Sequence, residues 1–195
     1  FVDVPLISIY SLLVWGLMTS DRIREFVTFA QVDPTIRRIH TQDGRALSYA
    51  AAASLIPCFT PGTAIATPRG EVAVEELRAG DRVLTRDNGI QKVAWIGKKR
   101  LVHEELKALD TLRPIAIRAG ALGDGMPEKD MLVSPSHRML ITSALAKEQF
   151  DQVEVLVAAR DLVGVEGVMV SNAPYATYFH FMCEKHEILL SDGAR

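Results

Sequence analysis

The chain has 195 residues, 48% of them apolar, a formal net charge of -2 and two cysteines. That is enough chain for one good core with a preceding segment, and Cys58 and Cys183 could form at most one bridge, which excludes a disulfide scaffold. The largest basic cluster is Lys98-Lys99-Arg100, so nothing points to a nucleic-acid partner.

The chain opens on Phe1 rather than Met, which reads as a fragment or a processed product. Residues 4–18, "VPLISIYSLLVWGLM", are its most apolar run. The run is shorter than the about 20 residues a membrane span needs, and it lacks the basic start of a secretory signal. It reads as a buried or partner-packing element; membrane contact through residues 4–18 is the less favoured alternative. In "SDRIREFVTFAQVD", Ile23, Phe26, Val27 and Ala30 recur at helical spacing, Ser20 or Asp21 offers a cap, and Pro34 a stop. "YAAAASLI" suits helix and strand equally.

From Cys58 onward the pattern becomes short strands divided by turn residues. "EVAVEEL" alternates over residues 71–75, with Val72 and Val74 on one face, and "RAGD" at 78–81 is a turn. Asp87-Asn88-Gly89 between two β-rich runs is a hairpin signal. "RPIAIRAG" alternates around Ile115 and Ile117. "DMLV" and "RMLIT" flank "SPSH", and "QVEVLVAA", "GVMVS" and "YATYFHFMCEKHEILL" follow. Only "AARDLV", residues 158–163, has the look of a helical turn. Regularly spaced short strands with turn signals predict an all-β domain preceded by a partly helical segment.

Cys58 is the natural candidate for chemistry, because a thiol that is deprotonated or oriented is the strongest ordinary side-chain nucleophile. The plain alternative is a small buried hydrophobe. Cys183 fits that alternative, since it falls on the strand face of Phe179 and Phe181. Of the five histidines, His40 and His103 sit among polar residues and read as solvated. His137 follows Ser134-Pro135-Ser136, which sets a hydroxyl and an imidazole three residues apart at the mouth of an expected hairpin. His186 opens an expected last strand, "HEILL". No C-x-x-C or H-x-x-x-H pair supports a zinc site from Cys58, Cys183 and two histidines. No glycine-rich phosphate loop or G-x-S-x-G elbow is present. No metal or cofactor is therefore expected.

"CFTPGTAIATPRGEVAVEELRAGDRVLTRD" resembles the opening block of Hint domains, the module shared by Hedgehog autoprocessing regions, inteins and bacterial intein-like proteins. "VSPSHRML" resembles their second block, usually Thr-x-x-His, with Ser134 in the threonine position. "YFHFMCEKHEILLSDG" resembles the late block, where a tyrosine and a histidine stand eight positions apart, as do Tyr178 and His186. The blocks run in order from Cys58 to Arg195, and the bacterial intein-like subgroup is the most similar. The resemblance implies a horseshoe-shaped all-β domain with pseudo-twofold symmetry at 58–195, and a flanking, extein-like segment at 1–57. It leaves the compartment open, since a cytoplasmic and a secreted bacterial protein both fit.

The same resemblance implies self-processing at the Pro57–Cys58 bond. Cys58 would attack the Pro57 carbonyl in an N-to-S acyl shift, with His137 protonating the departing nitrogen, Ser134 holding the amide or the imidazole, and His186 as an acid–base or structural histidine. The partners would be the chain's own flank and a small nucleophile such as water, a thiol, an amine or an alcohol. The last asparagine is Asn172, and no terminal His-Asn pair is present, so cleavage without full splicing is expected. Pro57, whose ring crowds its carbonyl, the serine in place of threonine and the joined flank favour slow, triggered or lost processing. They support an alternative reading as a non-catalytic Hint-like module. A thiol peptidase built on Cys58 and His137 is a third and weaker reading.

Overall fold

The computed structural model describes residues 38–40, 46–48, 56–142, 148, 151 and 153–194. The apolar run at 4–18 and the helix expected after Ser20 lie outside the described residues. Within the leading segment, β1 (Arg38–His40) pairs antiparallel with β2 (Ala46–Ser48).

From residue 56 onward the chain is built mainly of short strands, as the turn spacing predicts. β3 (Ala64–Thr67) and β4 (Gly70–Ala73) form a hairpin with Ile65 opposite Val72. The strand expected to continue to Glu75 ends at Ala73, because Val74–Glu76 is a 3-10 turn. Its tighter winding lets Val74 (0% exposed) and Leu77 (2%) enter one cluster. In an extended strand, residues three apart would face opposite ways. The Asp87-Asn88-Gly89 signal is realised as the hairpin of β5 (Arg82–Thr85) and β6 (Gly89–Lys92). Thr85 accepts the Asn88 N–H at 3.3 Å and donates to the Gly89 carbonyl at 2.9 Å.

The longest ladder joins β7 (Trp95–Leu101) to β13 (Ala176–Met182). After β7 comes an element the sequence reading omitted, α1 (His103–Ala108), followed by a 3-10 turn at Asp110–Leu112. "HEELKA" is made largely of good helix formers. Glu105 accepts the Val102 N–H at 2.9 Å at the helix start, where acidic groups are favoured. Six residues cannot sustain a helix alone; burial of Leu106 holds this one in place.

β8 (Ile115–Ile117) lies between β9 (Met131–Val133) and β12 (Val168–Val170) in a three-stranded antiparallel sheet. β10 (Arg138–Thr142) pairs instead with β11 (Glu154–Ala158). "SPSH" is therefore not the mouth of a hairpin. It is a corner between two sheets, closed by the His137 N–H on the Ser134 carbonyl at 3.0 Å. The corner carries Met139 onto the same core cluster as Ile115, Ile117 and Val133, with Ala159 and Leu162 of the following turn. That turn, Ala159–Leu162, is the one expected from "AARDLV".

"HEILL" is not a continuous strand. Its Leu189 bridges Thr85 of β5, and Ser191 just after it bridges Ile65 of β3. The succession of hairpin, 3-10 turn, buried leucine, positive-φ glycine and strand occurs twice. It runs once through Leu77 and Gly80 (φ 101°) into β5, and once through Leu162 and Gly164 (φ 103°) into β12.

Candidate active site

Residues 58–60 run between β9 and β13. Phe59 exchanges main-chain hydrogen bonds with Phe179 at 2.9 and 2.8 Å and bridges Val133 on its other side. The Ser134 N–H donates to the Cys58 carbonyl at 3.0 Å, and the Thr60 hydroxyl to the Leu132 carbonyl at 2.8 Å. Extended chain sends neighbouring side chains to opposite faces. Phe59 accordingly stacks on Phe181 at 5.8 Å in one apolar cluster, while Cys58 joins another with Leu101, Leu106, Leu112 and Tyr178. The turn after Thr60 needs Gly62 at φ 86°, and its N–H is held by the Glu75 carboxylate at 2.9 Å.

The Pro57–Cys58 peptide bond is gripped on both sides. The Cys58 N–H donates to Ser134 Oγ at 2.8 Å, and that hydroxyl donates onward to the Ile56 carbonyl at 3.0 Å. On the carbonyl side, His180 Nδ1 lies 2.7 Å from the Pro57 oxygen. A carbonyl only accepts, so Nδ1 carries the proton and the neutral ring is the Nδ1–H tautomer.

Cys58 is a free thiol, buried and 8% exposed. Burial pushes it up to about 12, against the opposing effect of a hydrogen bond with Ser134. At neutral pH it is a thiol and not a thiolate. His137, 9% exposed, packs edge-on against Phe59 with ring centroids 4.4 Å apart. Burial lowers its imidazole to about 4, while a hydrogen bond to the Cys58 main chain works the other way. Its Nδ1 is buried with no hydrogen-bond partner among the described residues, an arrangement that calls for a reason. His180 is also lowered by burial, partly offset by its bond to Pro57. Both rings are neutral in ordinary buffer.

The structure thus brings Cys58 and Ser134 together at the bond ahead of Cys58, with His137 packed on Phe59 beside the Cys58 main chain. His186 stands outside this hydrogen-bonded set, exposed, and acts on His180 only through charge. His103 is exposed. Cys183 is a free thiol just past the end of β13, only partly buried, and packs on the Phe179 and Phe181 cluster. Among the described residues no group of three or more His, Cys, Asp or Glu side chains is arranged for a metal ion.

A family model described as the Hint domain matches residues 57–195. The chain belongs to the Hint domain family. No curated protein sequence gives a significant match. Among solved structures, this Hint domain is similar to the bacterial intein-like domain from Clostridium thermocellum. Identity there is 16%, with 69% of this chain and 91% of that one covered and a TM-score of 0.45. It is also similar to the gp41-1 intein, at 13% identity with 71% and 95% covered and a TM-score of 0.42. For the MchDnaB-1 intein the values are 10% identity, 70% and 94% covered, and a TM-score of 0.43.

His180 is the site residue of this Hint domain that sequence reasoning missed. A signal for it was present. In a strand, residues two apart share a face, so His180 shares the face of Tyr178, which packs in the same cluster as Cys58. Phe179 and Phe181 dominate the opposite face of the strand.

Proposed function

We propose that this Hint domain, at residues 58–195, processes its own chain at the Pro57–Cys58 bond by an N-to-S acyl shift, without full splicing. One observation carries the reading: this peptide bond has its nitrogen held by Ser134 and its carbonyl oxygen held by His180, with the Cys58 thiol beside it. The Sγ–C bond forms to the Pro57 carbonyl carbon as the C–N bond to Cys58 breaks. The proton leaving Sγ ends on the new Cys58 amine. His137 is suited to carry it, because its buried Nδ1 has no other partner among the described residues and its neutral form can accept. His180 supports the oxygen as negative charge develops on it. Water, a thiol, an amine or an alcohol then cleaves the thioester and releases residues 1–57. Holding all reacting groups in one chain supplies much of the rate, up to about 7–11 kcal/mol in well-oriented cases.

The high thiol pKa and the ring of Pro57 both make this a slow device. The experiment is intact-mass analysis of purified chain with and without dithiothreitol or hydroxylamine. A fragment ending at Pro57, absent from Cys58→Ala, is expected. Identical fragments from both proteins would remove the proposal. An unchanged wild-type mass would favour the non-catalytic module, for which the burial of Cys58, which pushes its thiol up to about 12, is the support.

A further inference from the structure

We infer that the domain carries an apolar subsite for the second residue ahead of Cys58, and that the Ile56 side chain is its ligand. The inference rests on the reading that Pro57–Cys58 is the processed bond. Ile56 packs against the cluster of Cys58, Leu101, Leu106, Leu112 and Tyr178. Its carbonyl independently receives the Ser134 hydroxyl at 3.0 Å. The flank is therefore held by side chain and main chain at the same residue.

The cluster that Ile56 packs against is drawn from separate places in the chain. Leu101 ends β7, Leu106 comes from α1, Leu112 from the 3-10 turn after it, and Tyr178 from β13. Leu106 is the buried residue of α1 and Leu112 that of the turn. Both short elements thus spend their apolar contact on this pocket. The Tyr178 hydroxyl donates to the Leu112 carbonyl at 2.7 Å and fastens the turn to the strand that also bears His180.

The chemistry selects a branched aliphatic side chain. Burying one is favourable in proportion to its apolar area, whereas a carboxylate placed among aliphatic walls loses water without regaining a partner. Pro57 has no N–H to be recognised. Selection of the flank then rests on the Ile56 side chain, the Ile56 carbonyl and the Pro57 carbonyl. Ile56 is a positioning residue: it fixes where the Pro57 carbonyl sits relative to Sγ.

The test uses the full chain as wild type, Ile56→Leu and Ile56→Asp, with dithiothreitol or hydroxylamine and intact-mass readout. Ile56→Leu should cleave within about twofold of wild type and Ile56→Asp about tenfold more slowly, the scale set by losing an aliphatic contact. Equal rates for wild type and Ile56→Asp, with Cys58→Ala still inert, would overturn the subsite and leave self-processing standing. If wild type does not cleave, self-processing fails and the subsite is judged through the thiol. Ile56 packs against the cluster that buries Cys58, so Ile56→Asp should raise native-state alkylation of Cys58 by iodoacetamide about tenfold, again the scale of one lost aliphatic contact. An unchanged alkylation rate would overturn it.

Discussion

His180 Nδ1 approaches the Pro57 carbonyl oxygen to 2.7 Å from a strand more than a hundred residues further along the chain. The bond is long-range and aimed at the one carbonyl that the Cys58 thiol would attack. Replacing His180 by Gln should therefore slow thiol-induced cleavage by roughly a hundredfold, the loss typical of one oxyanion donor. The fragment of residues 58–195 is followed by mass over time, and the circular dichroism of the uncleaved protein should match wild type. A cleavage rate equal to wild type would remove His180 from the reaction.

Ser134 has two jobs that a methyl group cannot perform. Ser134→Ala leaves the Cys58 N–H and the Ile56 carbonyl without their partner, a cost of about 1–3 kcal/mol for a buried polar group. Both stability in urea and cleavage rate should fall. Ser134→Thr keeps the hydroxyl and should restore both, which a mere packing role for the serine would not require.

Pro57 is expected to restrain the reaction. Its ring limits the backbone and crowds the carbonyl. Pro57→Ala should raise the rate of thiol-induced cleavage by a few fold over about an hour-long time course, since ring release removes a steric and not an electronic barrier. An unchanged or lower rate would show that the proline is part of the productive geometry.

Stability should depend on pH in a definite direction. His137 ionises near 6.5 when unfolded but only at about 4 when folded, and His180 is shifted the same way. Between those values the unfolded chain binds more protons, so stability rises with pH. The contribution is complete above the unfolded value and is lost as pH falls through the folded one. Asp192, raised by burial, acts in the opposite sense within the carboxylate range. Urea midpoints at pH 7, 5.5 and 4 should decline, and His137→Gln should flatten the decline. At the alkaline end the sign reverses. Cys58 holds its proton up to about 12 in the folded state, so stability should fall as pH climbs above the ordinary thiol range.

Much of the architecture was readable because it rests on local signals. Asp87-Asn88-Gly89 dictates its turn, alternation marks β8, and "AARDLV" winds because Ala159 and Leu162 both seek the same core. Other features were hidden because tertiary contacts decide them. Six residues of "HEELKA" give too little periodicity to announce a helix, and Leu106 stabilises it through a cluster gathered from distant parts of the chain, Cys58 and Tyr178 among them. "SPSH" reads as a hairpin tip until β9 finds β8 and β10 finds β11. Cys58, Ser134 and His137 came from motif spacing. His180 required knowing which face of β13 meets the start of the domain, a fact of topology more than of composition.

The two main-chain bonds between Phe59 and Phe179 hold the residue that follows the reacting cysteine through the proposed acyl shift. A severed peptide normally lets its new ends drift apart, which makes the cut final. In the proposed shift the flank stays joined to Cys58 through the thioester, while Phe59 is held between Phe179 and Val133 and Ser134 holds the Ile56 carbonyl. The new amine and the thioester would belong to the same residue, so return to the amide competes with escape. A domain working in this way would be a latch held closed by its own reversibility, opened by the concentration of the outside nucleophile.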